Sequence, residues 1–100
     1  FMMTGNEMIL AVKRQLPITF ILANNGSYAS IRLHQERTYP GRVSGTSLHN
    51  PDFHDLAISF GMKALRITQS ADIKGRIAEA LSLQEPVLIE VNTSLDAVLP

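Results

Sequence analysis

Strand-like and helix-like segments alternate along the chain, which predicts an α/β fold: a parallel sheet with helices on both faces. Three observations carry this reading. The short segments 18–23 and 86–91 are apolar at almost every position, as strands covered on both faces require. Around them lie stretches whose apolar residues recur at helical spacing. Finally, 100 residues with 45% hydrophobic and 18% charged side chains suit a single small domain with a core of its own.

The elements follow in order. Residues 4–15 are good helix formers with Met8, Ala11, Val12 and Gln15 at helical spacing, and Pro17 marks the stop. Ile18 to Ala23 then reads as an interior strand of the sheet, ended by Asn24-Asn25-Gly26. Asn-Gly alone favours a hairpin, but Tyr28, Ile31, Arg32 and Gln35 stand at i, i+3, i+4 and i+7, so strand, tight turn and helix is the preferred sequence of events. Residues 38–50 form a loop rich in Gly, Pro, Ser and Thr, of a length typical of functional lids or disordered segments. Asn50-Pro51-Asp52 has the form of a helix start with Asn50 as the cap, ahead of the apolar stripe Phe53, Leu56, Ala57 and Phe60 and the terminating Gly61. Residues 64–67 are a short strand. Ser70 caps a third helix with Ile73, Ile77, Ala80 and Leu81 inward, where Gly75 costs about 1 kcal/mol relative to alanine. Pro86 to Val91 is the last buried strand, and Leu95 to Pro100 a tail. Only about three strands are visible, which suggests a sheet cut from a larger one.

Composition excludes several classes of function. Nine basic and nine acidic side chains balance and are scattered, so no nucleic-acid or anionic-membrane partner is indicated. No apolar run approaches the roughly 18 residues of a membrane span, and a cytoplasmic protein is the expectation. With no cysteine, disulfides and thiolate metal sites are absent. His49 and His54 lack metal-ligand spacing with a second histidine, Arg42 and Glu36 read as a solvated surface pair, and Met2, Met3 and Met8 read as packing.

Chemistry is expected beyond the carboxyl ends of the strands, where open parallel sheets bind ligands. Asn24 to Ser27 holds that place. Asn25 offers a neutral amide oxygen and the turn after it a carbonyl, both suited to Mg²⁺ alongside a carboxylate and ligand phosphates. Spacing alone also allows a plain turn here.

The ordered residues resemble the C-terminal, diphosphate-binding domain of thiamine diphosphate enzymes of the acetolactate synthase group, over about nine tenths of the chain. Phe1-Met2-Met3-Thr4, Glu7 and Ala11-Val12 are similar to the helix after that family's Gly-Asp-Gly, and Ala23-Asn24-Asn25-Gly26 to the second half of its motif. Arg32, Gln35-Glu36, Tyr39, Gly41-Arg42 and Asn50-Pro51-Asp52-Phe53 are similar to the segment that follows, and Glu85 to Val91 to the closing strand. The resemblance implies a thiamine diphosphate-binding fold and two cofactors, thiamine diphosphate and Mg²⁺. It implies that Asn25 ligates the metal by its side chain and Ser27 by its carbonyl. Gly26, Tyr28 and Ala29 would line the cofactor, and Ser30 and His34 would approach the substrate. The implied reaction is decarboxylation of a 2-oxo acid, with protonation or ligation to a second carbonyl compound.

Gly-Asp-Gly itself does not occur in these residues; by register it would end two residues before Phe1. Residues 1–100 are therefore expected to be one partial domain, lacking its first strand and inactive alone, whose partners are the remaining domains of a homo-oligomeric parent enzyme. The group's tryptophan is His34 here and its methionine Ser30, so a decarboxylase or another carboligase is as consistent as acetolactate synthase. A non-catalytic α/β interaction module that keeps the fold without cofactor is the alternative.

Overall fold

The structure, a computed structural model, describes residues 1–97. The elements are α1 (Met8–Lys13), β1 (Thr19–Asn24), α2 (Ala29–Thr38), α3 (Phe53–Ser59), β2 (Lys63–Ile67), α4 (Ile73–Ser82) and β3 (Val87–Asn92), with 3₁₀ turns at Gly5–Glu7, Ser70–Asp72 and Leu95–Ala97. The expected tail thus begins with a turn, and its last three residues, 98–100, lie outside the described residues. No helix among the described residues is long and apolar enough to cross a membrane. Two compact units divide the described residues: Phe1–Leu22 with Asp52–Val91, and Ala23–Pro51 with residues 92–97.

The sheet is parallel, in the order β1-β3-β2, so the α/β class stands. In the first unit the central strand makes two cores, because alternate residues of a strand point to opposite faces. Leu88 packs with Met8, Leu22, Phe53, Ala57 and Met62 on the side of α1 and α3. Val87 and Ile89 pack with Ile67 and Ala80 on the side of α4. Val87, Leu88 and Ile89 are wholly buried, as the apolar run predicts. Phe1 closes on Phe53 edge to face, ring centroids 5.3 Å apart.

Four expectations are corrected. The segment from Ile18 to Ala23 is not an interior strand: the last strand of the chain takes the middle, leaving β1 at an edge with Ile21 57% exposed. The first helix is shorter than 4–15, because Gln15 turns to a φ of +51° and ends it. On α4 the buried line runs through Ile77 and Ala80 and continues to Leu83, the residue that caps the helix end. Leu81, turned about 100° from Ala80 around the helix, is 65% exposed, and Ile73 is 39% exposed at the helix start.

The fourth correction concerns the start of α3. Its cap is Asp52 rather than Asn50, and the Asp52 carboxylate accepts from the Asp55 amide at 3.1 Å. Non-local pairing chose this position. Arg66 on β2 donates to both Asp52 oxygens, at 2.6 and 2.7 Å, and its Nε stands 3.5 Å from the buried carboxylate of Glu90, its neighbour across the sheet. The helix does end as expected, with Gly61 at a φ of +83°.

The Asp55 amide, and after it the Arg66 guanidinium, hold the Asp52 carboxyl below its ordinary value. A carboxyl depressed by folding contributes stability at pH above its unfolded value near 4, and loses that contribution as pH falls through the lower folded value. Acid denaturation below about pH 4 is therefore expected to be shallower in Asp52→Asn than in the parent chain. Unfolding midpoints in urea between pH 2 and pH 6 would show it, and parallel curves for the two proteins would refute it.

Candidate functional site

The second unit holds the candidate site at the carboxyl end of β1. Asn24 and Asn25 both fold into tight turns: Asn24 Oδ1 accepts from the Gly26 amide and Asn25 Oδ1 from the Ser27 amide, each at 3.1 Å. Gly26, directly after them, has a φ of +64°, a conformation that a side chain disfavours.

The two asparagines nevertheless divide their tasks. Asn24 is tied into the frame: its carbonyl accepts from the Thr93 amide at 3.0 Å, and its Oδ1 also accepts from Asn50 Nδ2 at 3.2 Å. Asn25 makes the turn bond with one lone pair of its oxygen, and an amide oxygen has two.

The loop after α2 returns to this turn. Ser27 and Ser47 form an antiparallel bridge whose two hydrogen bonds, Tyr28 N to Thr46 O and Leu48 N to Gly26 O, are both 2.8 Å long. Those bonds flank Ser27 and leave its carbonyl out of the bridge. Ser27 Oγ donates to Thr46 O at 2.8 Å, and Thr46, 2% exposed, donates from Oγ1 to Gln35 Oε1 at 3.3 Å. Gln35 in turn donates to Ser44 O at 2.8 Å. The polar loop of residues 38–50 is thus clasped to the turn rather than hanging free.

An open cleft of about 470 Å³ lies here, lined by Ala23, Asn25, Ser27, Tyr28, Ala29, Ser30 and Ile31. Asn25, Ser27, Tyr28, Ala29 and Ser30 of the residues singled out in the sequence are among the lining. Gly26 shapes the turn behind it. His34 is exposed on α2, one helical turn beyond Ser30 and outside the lining. Sequence reasoning missed Ala23, Ile31 and Thr46. Ala23 and Ile31 carry no chemical signal, and nothing local marks Thr46 as the buried hydroxyl of a polar loop.

Glu36 and Arg42 do not pair as expected. Glu36 accepts from the Gly41 amide at 3.1 Å and faces Arg32 at 4.0 Å, while the Arg42 guanidinium lies 5.6 Å over the Tyr39 ring. The helix C-terminus offered Glu36 a nearer donor. Met8 packs as expected, but Met2 and Met3 are 52% and 94% exposed.

Mg²⁺ fits this donor set in part. It takes about six oxygens, usually including phosphates, waters and a carboxylate. Asn25 Oδ1 and the Ser27 carbonyl supply two neutral oxygens on one turn. None of the seven lining residues is acidic, so the carboxylate would come from elsewhere. Asp52, His54 and Asp55 cluster in the first unit, where Asp52 is already committed to Arg66 and to the Asp55 amide.

A family profile described as "Thiamine pyrophosphate enzyme, C-terminal TPP binding domain" matches residues 1–91. The chain is 35% identical over 91 residues to the mitochondrial acetolactate synthase of Schizosaccharomyces pombe, covering 91% of this chain and 14% of that protein. It is 34% identical over 103 residues to the acetolactate synthase large subunit of Corynebacterium glutamicum, covering 97% of this chain and 16% of that one. With acetolactate synthase isozyme 2 large subunit of Escherichia coli it shares 31% identity over 93 residues, covering 92% and 17%. The chain therefore spans about a sixth of the length of these relatives.

Proposed function

The chain belongs to the thiamine pyrophosphate enzymes, as their C-terminal TPP-binding domain, and on that footing we propose that the cleft after β1 holds the diphosphate end of thiamine diphosphate through Mg²⁺. Bound there, the cofactor supplies the carbanion chemistry by which a 2-oxo acid loses CO₂. The enzyme served is a decarboxylase or carboligase similar to acetolactate synthase, in which further domains and a second subunit complete the site.

The division between the asparagines carries this reading. Asn24 fixes the turn through Gly26, Asn50 and Thr93, while Asn25 Oδ1 keeps one lone pair beyond its bond from the Ser27 amide, and that lone pair and the Ser27 carbonyl would face the cation. The amino end of α2 begins directly after them and presents unpaired amides and a partial positive charge to phosphate oxygens. Gly26 admits the backbone bend, and the Ser27–Thr46 clasp holds it. Tyr28 and Ala29 line the wall where the cofactor would lie; Ser30, also in the lining, and His34, one turn further along α2, would approach the substrate.

Calorimetric titration with thiamine diphosphate of the chain joined to the further domains that complete its site tests this. Saturable binding is expected with Mg²⁺ present and is expected to vanish in excess EDTA. Equal heats in both conditions would remove the metal from the reading. Absence of binding at millimolar ligand would favour a fold retained without cofactor.

A further inference from the structure

Asn25 is the only asparagine of the chain that precedes a glycine. Asparagine side chains are labile groups, and a following glycine exposes them most, because it puts no Cβ in the way of its own backbone nitrogen. Gly26 is exposed, and a Cβ built on it would meet none of the described residues beyond its chain neighbours within 4 Å. Solvent reaches this peptide.

Two hydrogen bonds act on the reacting atoms in opposite senses. The Ser27 amide donates to Asn25 Oδ1 at 3.1 Å, which draws electrons from Cγ and favours attack there. The Gly26 amide donates to Asn24 Oδ1, also at 3.1 Å. An intact amide nitrogen is a poor nucleophile, because its lone pair is delocalised into the carbonyl. It attacks only after losing its proton, and that proton is the one Asn24 holds. Asn24 is itself fixed, by Asn50 Nδ2 at 3.2 Å and by the Thr93 amide at 3.0 Å.

We propose that Asn25 is a self-deamidation site and that the Asn24 side chain holds it in check. Hydroxide removes the Gly26 amide proton, and the nitrogen's electron pair forms a bond to Asn25 Cγ. The Cγ–Nδ2 bond breaks, and the leaving nitrogen takes a proton from water to depart as ammonia. A cyclic imide remains, which water opens at either carbonyl to leave aspartate or isoaspartate. Water is the only co-reactant, and nothing is oxidised or reduced. The product places a carboxylate in the cleft lining, where the parent residue is neutral. None of this depends on what the cleft binds.

Incubation at mildly alkaline pH without ligand tests the proposal, on the chain joined to the further domains that complete its site. Trypsin releases residues 15–32, which contain Asn24 and Asn25 and no other asparagine. Fragment masses then locate the amide-to-acid change. Deamidation at Asn25 is expected to be about fivefold or more slower in the folded protein than in guanidinium, the factor of one hydrogen bond. Asn24→Ala is expected to remove that protection, and Asn24→Asp, which keeps an acceptor oxygen, to retain it. Ser27→Ala loses the bond to Thr46 on the same turn but leaves the Gly26 bond in place, and is expected to match the parent. Where Asn24→Ala does not fold, hydrogen exchange at the Gly26 amide of the parent reads the loss of the same proton. Equal rates in the folded and unfolded parent would overturn the proposal, as would a Gly26 amide that exchanges at the unstructured rate. A folded Asn24→Ala no faster than the parent would do the same. Equal acceleration in Ser27→Ala and Asn24→Ala would also overturn it, by assigning the protection to the turn as a whole.

Discussion

Replacing Leu88 with alanine is expected to cost about 3 kcal/mol of folding stability, a large share of the roughly 5–15 kcal/mol that holds a domain of this size. Leu88 is wholly buried on the central strand, among Met8, Leu22, Phe53, Ala57 and Met62. Truncation removes the transfer free energy of its methyl groups and leaves a cavity. Helices on one side and the hydrogen-bonded sheet on the other resist collapse into that cavity. Leu81 supplies the control: the same substitution at a side chain 65% exposed on α4 is expected to stay within about 0.5 kcal/mol. Urea denaturation of both variants measures the difference. Similar midpoints would mean that the central strand is less tightly packed than its burial indicates.

Asn25→Ala is expected to lower Mg²⁺-dependent affinity for thiamine diphosphate by roughly 100-fold, since even groups that only orient metal ligands contribute about 10- to 100-fold. Stability should fall by only about 1 kcal/mol, because a single partly buried turn bond to the Ser27 amide is lost. Asn24→Ala should show the opposite pattern. Its oxygen serves Gly26 and Asn50, so folding should suffer more than the intrinsic metal affinity. Titrations with and without Mg²⁺, paired with thermal melts, separate the two effects. Equal losses of affinity from both variants would mean that the asparagines act as one structural unit and that neither is a dedicated ligand.

The residues that line the cleft were legible largely because they are consecutive. Asn25 and Ser27 to Ser30 follow a strand and open a helix, so a local pattern placed them together. Arg32 was legible as a helix position but not as a donor whose Nε is without an acceptor among the described residues, since that depends on where Gln35 and Glu36 spend their own hydrogen bonds. Thr46 was hidden for a similar reason. It lies 19 residues from Ser27, and a polar loop carries no periodicity to say which hydroxyl turns inward.

By itself the sequence determined the alternation of helix and strand, the apolar stripes of α3 and β3, the αL stop at Gly61 and the family motif after β1. Each depends on residues within a few positions of one another, where steric preference and hydrophobic period act directly. Tertiary structure alone decided that β3 lies between β1 and β2, that Asp52 rather than Asn50 caps α3, and that Asn24 serves the frame while Asn25 keeps a lone pair. Those outcomes turn on partners far along the chain: Arg66 for Asp52, Thr93 and Asn50 for Asn24. A sequence pattern states which groups need partners, and only the folded chain assigns them.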